Sequence, residues 1–351
     1  MTNRELRYGL VGAGAIAELK HLKGYLGQPG VEAVAICNHR PDRAAELARK
    51  YGVPKVYADY RKMFDEADLD LISICTPNHT HLPIAVAALE KGIHVHCEKP
   101  IALNAGEAER MIAARDHSGK QLMIGLNNRF TGSAYFAKRY IAAGHLGEIY
   151  HLRCGWRRRR QIPGKGSWFT IKALAGGGPL IDLGVHYIDL ALYLSGFPKA
   201  ESVSAATYSK FADNRCLNSW TYGDGGNGAM DVEDLAVGLV RMENGATLDF
   251  EFGWASNVER ESQFYELLGT RGGLSFREGQ LKIYSEIEET LVDMVPDTAY
   301  GKEPLNEFAH FIDCIRENRK PLAGPEQARD VMKIIDAAYR SAETGREAAI
   351  E

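Results

Sequence analysis

Tyr8-Gly9-Leu10-Val11-Gly12-Ala13-Gly14-Ala15-Ile16-Ala17 decides the fold. Tyr8 to Val11 reads as a short apolar strand, and it runs into G-x-G-x-x-A. A helical stretch from about Ile16 to Gly27 follows. The first glycine permits a tight turn, and the second lets the backbone approach a pyrophosphate. The helix N-terminus then favours that negative charge. Ala17 in the third position still allows helix to pack closely on strand. The pattern gains its meaning from its place, directly after a strand and ahead of further β-α units.

Those units are legible downstream. Strands are expected at Val31 to Cys37, Lys55 to Tyr57, Leu69 to Cys75 and Gln121 to Gly125. Helices are expected at Pro41 to Tyr51, Tyr60 to Glu66, Leu82 to Lys91 and Asn104 to His117. Asn104 reads as an N-cap, with Glu107 three residues on. A further strand lies in Ile93-His94-Val95-His96-Cys97-Glu98-Lys99-Pro100-Ile101-Ala102. Pro100 cannot donate to a ladder, so this strand stops before it. Lys99 is thereby left at a strand's carboxyl end, the edge where open α/β sheets bind ligands. A lysine there is suited to moving protons. Alternating strands and helices of this kind make a doubly wound parallel sheet over residues 1–126.

The second strand ends in Asn38-His39-Arg40, where an acidic residue would bind ribose hydroxyls. Asn38 does not repel a 2′-phosphate, and Arg40 is able to pair with one. The reading leans to NADP or to use of both cofactors; in the alternative, Asn38 bonds the ribose of NAD. Thr76-Pro77-Asn78-His79-Thr80-His81 forms a turn at another strand end, and Asn78 there is placed to orient a cofactor. His79 and His81 have no thiol or carboxylate cluster beside them, so they read as packing or capping groups and no metal is expected.

The pattern changes after residue 126. A helix (Ser133 to Ala143) leads to a long strand from Gly147, expected to continue through Arg157-Arg158-Arg159-Arg160 to Gly164. Alternate arginines would then face opposite sides, giving one solvated face plus a subunit contact or, in the alternative, one or two arginines that reach the substrate or cofactor. Gly176-Gly177-Gly178 reads as a flexible lead into a helix carrying Asp182, His186 and Asp189, which share one face at four- and three-residue spacing. A histidine with a carboxylate one turn away suits a general base, and equally a buried polar trio. Later strands alternate without intervening helices and suit a mostly antiparallel sheet. Amphipathic helices are expected at Leu305 to Asn318 and Glu326 to Thr344.

The chain has 351 residues, 45% hydrophobic and 25% charged, which suits two globular domains. A net charge of -4 carries no footprint for nucleic acid or membrane. No apolar run approaches the roughly 18 residues of a membrane span. The first residues lack the apolar core of a signal peptide, so a cytoplasmic protein is expected. The six cysteines are scattered and read as buried thiols.

Five ordered motifs together resemble the glucose-fructose oxidoreductase / inositol dehydrogenase / rhizopine catabolism (Gfo/Idh/MocA) family. They are Gly12 to Ala17, Thr76-Pro77-Asn78, Glu98-Lys99-Pro100, Asn128-Arg129-Phe130 and the Gly176 to Asp189 stretch. The resemblance implies an N-terminal Rossmann domain and a C-terminal α/β domain (127–351) with a large open sheet, whose last helices are able to pack back on the first domain. It implies a nicotinamide cofactor and hydride transfer at a secondary hydroxyl of a sugar, glycoside or inositol. A homodimer or homotetramer is expected, because an open sheet leaves a face to bury. Lys99, Asp182 and His186 would be catalytic. The dinucleotide would lie against Gly12, Gly14, Ala15, Ile16, Asn38, His39, Arg40, Thr76, Pro77, Asn78, His81, Glu98, Lys99 and Asn127. Substrate would meet Lys99, Arg129, Trp168, Asp182 and His186. Relatives that cleave glycosides by transient oxidation with a tightly held NAD share most of these motifs; a non-catalytic dinucleotide or sugar sensor is the other alternative, and the presence of Lys99, Asp182 and His186 argues against it.

Overall fold

Short apolar runs punctuated by glycine and proline become the strands of a six-stranded sheet. A computed structural model describes residues 4–212, 218–219, 228–298 and 306–351. Cys216 and Leu305 fall outside the described residues. The chain divides into two units, residues 1–125 with 306–329 and residues 126–305 with 330–351.

The first unit holds β1 (Leu6–Val11), β2 (Val31–Cys37), β3 (Lys55–Tyr57), β4 (Leu71–Ile74), β5 (His94–Cys97) and β6 (Leu122–Ile124). Their order is β3-β2-β1-β4-β5-β6 and every pair is parallel. Parallel strands are covered on both faces, which is why Val34, Ile36, Leu71, Ile72 and Val95 are buried in near-continuous runs. Strand order reverses between β1 and β4, the crevice where such sheets bind dinucleotides. Local signals end the helices as read. Pro41 opens Pro41–Tyr51 and Gly52, at φ +71°, closes it. Asn104 Oδ1 accepts from Glu107 N at 2.9 Å, and Glu107 Oε2 accepts from Leu103 N at 3.1 Å.

The first helix departs from expectation. It runs as a π-helix over Ala17–Leu22 and only then as an α-helix over Lys23–Leu26. The widened turn carries a fully buried His21. Helix Glu307–Glu317 belongs to this unit too. Ile124 N donates to Ala323 O at 3.0 Å, and Arg115 pairs with Glu326 at 2.6 Å.

The second unit is built on nine strands. In spatial order these are Thr290–Met294, Gln280–Ile287, Gly273–Arg277, Ser262–Gly269, Ile149–Arg157, Thr247–Gly253, Leu235–Met242, Ala200–Tyr208 and Ala348–Ala349. Neighbours are antiparallel except Ile149–Arg157 with Thr247–Gly253, which is parallel. One face buries Leu152, Cys154, Phe250, Phe252, Tyr265 and Leu267. The other carries cross-strand ion pairs, Arg153–Glu266 at 2.9 Å and Arg157–Glu251 at 2.6 Å.

The expected strand through Arg160 is corrected. It ends at Arg157, because its neighbours end opposite that residue at Gly253 and Ser262. The arginines beyond it do not alternate on a sheet. Arg158 lies over the Trp156 ring at 4.4 Å, and Arg160 donates to Ser256 O at 2.6 Å.

Arg129 is also placed differently from the expectation that it meets substrate. It is 2% exposed and donates from Nε to Asp189 Oδ2 at 2.8 Å and from Nη2 to Asp189 Oδ1. Tyr193 and Phe197 flank its guanidinium. The pair serves the interior of the unit, so Asp189 is fully buried, unlike Asp182 and His186. Both of those are partly exposed. Removing one partner strands a buried charge. Asp189→Ala is expected to cost about 3–5 kcal/mol in urea unfolding, and Arg129→Met with Asp189→Leu to regain most of it. A loss under about 1 kcal/mol in the single variant would contradict the assignment.

Candidate active site

In the first unit the candidate residues collect at the carboxyl ends of β1, β2, β4 and β5. Gly12 N donates to Cys37 O at 2.8 Å, and Cys75 N donates to Val11 O at 2.8 Å. Gly12 sits at φ +104°, and a Cβ there would stand 2.3 Å from Cys75 O, so only glycine fits. Gly14 is the opposite case: a Cβ there would meet nothing within 4 Å. Space over its backbone is open, although the position imposes no left-handed φ. Ile16 beside it is 45% exposed. At the end of β2, Asn38 Nδ2 donates to Arg40 O at 2.9 Å, and His39 and Arg40 are exposed. After β4, Thr76 and Pro77 are partly exposed, Asn78 is buried, and the Thr80 hydroxyl donates to Pro77 O at 2.7 Å. Lys99 is partly exposed after β5, and its peptide bond to Pro100 is cis.

His81 and Glu98 belong to the framework behind these turns. His81 is 1% exposed, with Nδ1 2.8 Å from Pro100 O and Nε2 2.9 Å from Thr76 O. Its ring joins the turns at Thr76 and Pro100. Glu98 is likewise buried, and its carboxylate is taken up by protein donors. Oε1 accepts from Lys20 Nζ at 3.1 Å and His21 Nε2 at 2.9 Å, and Oε2 accepts from Lys99 N at 3.0 Å. The carboxylate thereby holds the Lys99 backbone. A carboxylate only accepts, so His21 carries its proton on Nε2 and receives the Ser73 hydroxyl at Nδ1, 2.9 Å away. Lys20 also donates to Glu307 at 3.3 Å, His96 Nε2 lies 3.3 Å from Glu307 Oε1, and the Tyr25 hydroxyl meets His96 Nδ1 at 2.9 Å. The sequence offered one signal for this network: the polar pair Lys20-His21 stands on the helix face that packs inward.

Burial opposes charge in this cluster, and the ion pairs overcome it for the carboxylates. Burial pushes Glu98 up, but Lys20, His21 and Lys99 hold it well below the usual carboxylate range. Glu307, opposed by burial but paired with Lys20 and His96, lies at about 2. Burial lowers His21 from 6.5 to about 4. Because its folded value lies below its unfolded one, neutral His21 stabilises the protein above pH 6.5, and that contribution is lost as pH falls from 6.5 to 4. The loss is on the order of 3 kcal/mol. Urea stability is expected to fall over this window in the parent protein and more shallowly in His21→Gln. Equal slopes would contradict the placement.

In the second unit, Asp182 lies on a π-helical turn, Leu180–Gly184, that leads into helix Val185–Ser195 carrying His186. Asp182 Oδ2 accepts from Trp254 Nε1 at 3.0 Å. The glycines ahead of this turn are closely packed, which corrects the flexible lead. A Cβ on Gly177 would stand 2.0 Å from Tyr339 Oη, and one on Gly178 2.1 Å from Glu233 O. Buried Glu233 accepts from Gly178 N at 2.9 Å, Leu180 N at 3.1 Å and Tyr339 Oη at 2.9 Å. Its charge thus caps the turn's N-terminus. Neither Glu233 nor Tyr339 was identifiable from local pattern. Trp168 is half-buried and stacks on Phe169 with centroids 3.8 Å apart, and Asn127 is partly exposed in the turn Asn127–Phe130.

The open backbone at Gly14 fits a dinucleotide phosphate, since a side chain there would fill that space and nothing else. Gly14→Val is therefore expected to keep its thermal midpoint but to weaken NADH binding about ten-fold or more by fluorescence titration. Gly12→Ala is expected to lose both. Unchanged NADH affinity in Gly14→Val would contradict this placement.

Comparison with known proteins agrees with this geometry. Residues 6–126 match the oxidoreductase family with an NAD-binding Rossmann fold, and residues 136–275 match the GFO/IDH/MocA C-terminal domain. D-glucoside 3-dehydrogenase of Escherichia coli (strain K12) is 33% identical over 98% of this chain and 97% of its own. Myo-inositol 2-dehydrogenase of Thermotoga maritima is 26% identical over 99% of both chains. A solved structure of levoglucosan dehydrogenase in complex with NADH and L-sorbose superposes with a TM-score of 0.88 at 25% identity, covering 99% of both chains. With a parallel sheet that reverses order at a glycine loop, a lysine on the same sheet edge and matches in both units, the chain belongs to the Gfo/Idh/MocA family of NAD-binding oxidoreductases.

Proposed function

We propose that the protein oxidises a secondary ring hydroxyl of a D-glucoside. The observation that carries the reading is the shared sheet edge: Lys99 follows β5 just as the open Gly14 backbone follows β1. The extent of the similarity to D-glucoside 3-dehydrogenase supports the substrate class. Nicotinamide, when bound, supplies the hydride acceptor. The protein's own part is positioning and proton transfer. Lys99 hydrogen-bonds the reacting oxygen and stabilises the alkoxide as it develops. His186 takes the hydroxyl proton, a role worth about 10²–10⁴ in rate. Asp182, steadied by Trp254, holds the substrate, and Trp168 stacks on the sugar face. The exposed Arg40 and the missing carboxylate at the end of β2 support use of NADP as well as NAD.

The test is a panel of methyl β-D-glucoside, levoglucosan and myo-inositol against NAD and NADP, followed by absorbance of the reduced nicotinamide. The glucoside is expected to be oxidised with values of kcat/KM for the two cofactors within about ten-fold of each other. Lys99→Met and His186→Asn are each expected to lower kcat about 10²-fold or more with NADH binding intact. Parent-level turnover in Lys99→Met would sink the scheme.

A further inference from the structure

The family resemblance accounts for Lys99 but not for the buried lysine behind it. Lys20 sits on the first helix of the Rossmann unit with only 17% of its side chain exposed, between two carboxylates that are themselves buried. It reaches Glu98 Oε1 at 3.1 Å and Glu307 at 3.3 Å. One ammonium thus compensates two negative charges taken out of water, where a carboxylate left unpaired is costly. Glu98 has a second duty. Its other oxygen accepts from the Lys99 backbone N–H at 3.0 Å. The carboxylate bridges the Lys20–His21 pair on one side and the turn carrying Lys99 on the other.

We propose that Lys20 is a positioning residue of the reaction: by holding Glu98 ionised and in place, it fixes the backbone of Lys99 and so aims the Lys99 side chain. This rests on the role given above to Lys99. Facing the Glu98 carboxylate are Lys20, His21, Lys99, His81 and the thiols of Cys75 and Cys97, with Glu307 behind Lys20. Lys20 is the group whose charge most opposes the burial of Glu98. Without it, Glu98 takes up a proton at higher pH and the hold on Lys99 N weakens.

The experiment compares Lys20→Met and Lys20→Arg with the parent by two readouts. The first is hydrogen exchange of the Lys99 amide in ligand-free protein, which needs no substrate. The second is the pH profile of kcat on methyl β-D-glucoside. In Lys20→Met the Lys99 amide is expected to exchange about ten-fold faster, and kcat to fall about ten-fold with KM within about three-fold. The acid limb of the profile is expected to move up by about one pH unit or more. Lys20→Arg, which keeps the charge, is expected to restore all three. Parent-like exchange and an unmoved acid limb in Lys20→Met would overturn the proposal. So would a uniform loss of rate that Lys20→Arg shares. If Lys20→Met does not fold, Lys20→Gln, which keeps a donor but no charge, is read by the same criteria. A parent protein silent on the glucoside, with Lys99 exchange still dependent on Lys20, overturns the proposed function and leaves the positioning role standing. Turnover with exchange indifferent to Lys20 does the reverse.

Discussion

A carboxylate removed from water has to be surrounded by donors, and much of the first unit is arranged to meet that demand at Glu98. Its partners come from the first helix and from the backbone of the next residue. Ser73 on β4 occupies the other ring nitrogen of His21, and Glu307 on a helix far along the chain shares Lys20. The arrangement links the start of the chain, two central strands and helix Glu307–Glu317 through side chains alone. It also gives a physical reason for residues 306–329 to belong with the first unit, since Glu307 and Lys20 would each be costly to bury without the other.

Glycines do two distinct jobs around the candidate residues. At Gly12, Gly177 and Gly178 the missing side chain lets backbone or another side chain come closer than any Cβ allows. These positions are closely packed. At Gly14 the protein leaves the space empty. Gly52, Gly119 and Gly245 share that openness but sit at positive φ, whereas Gly14, the second glycine of the fingerprint, has no left-handed backbone to require a glycine.

The parallel sheet was legible because its signals are local. Apolar runs, proline at a helix start and glycine at its end lie within a few residues of the elements they define, and β2, β3 and the helices Pro41–Tyr51 and Tyr60–Glu66 occupy the residues read for them. The misreadings of Arg129, the arginine run and the glycine lead turn on distant partners. Arg129 resembles a ligand-binding arginine until Asp189, 60 residues away, is seen to pair with it. The arginine run looks like a strand until its neighbours end at Gly253 and Ser262. Lys20 and Glu307 are 287 residues apart, and no spacing rule connects them. The close packing of Gly177 and Gly178 depends on Tyr339 and Glu233 in the same way.

Net oxidation of a sugar hydroxyl differs from a transient oxidation that leads to glycoside cleavage in where the hydride ends. Methyl β-D-glucoside deuterated at ring carbons 2, 3 and 4, incubated with the protein and NAD and analysed by mass spectrometry, separates the two. Net oxidation predicts deuterium in the reduced nicotinamide, in step with a keto sugar that keeps its methyl group. Release of methanol with no accumulation of reduced cofactor would contradict it.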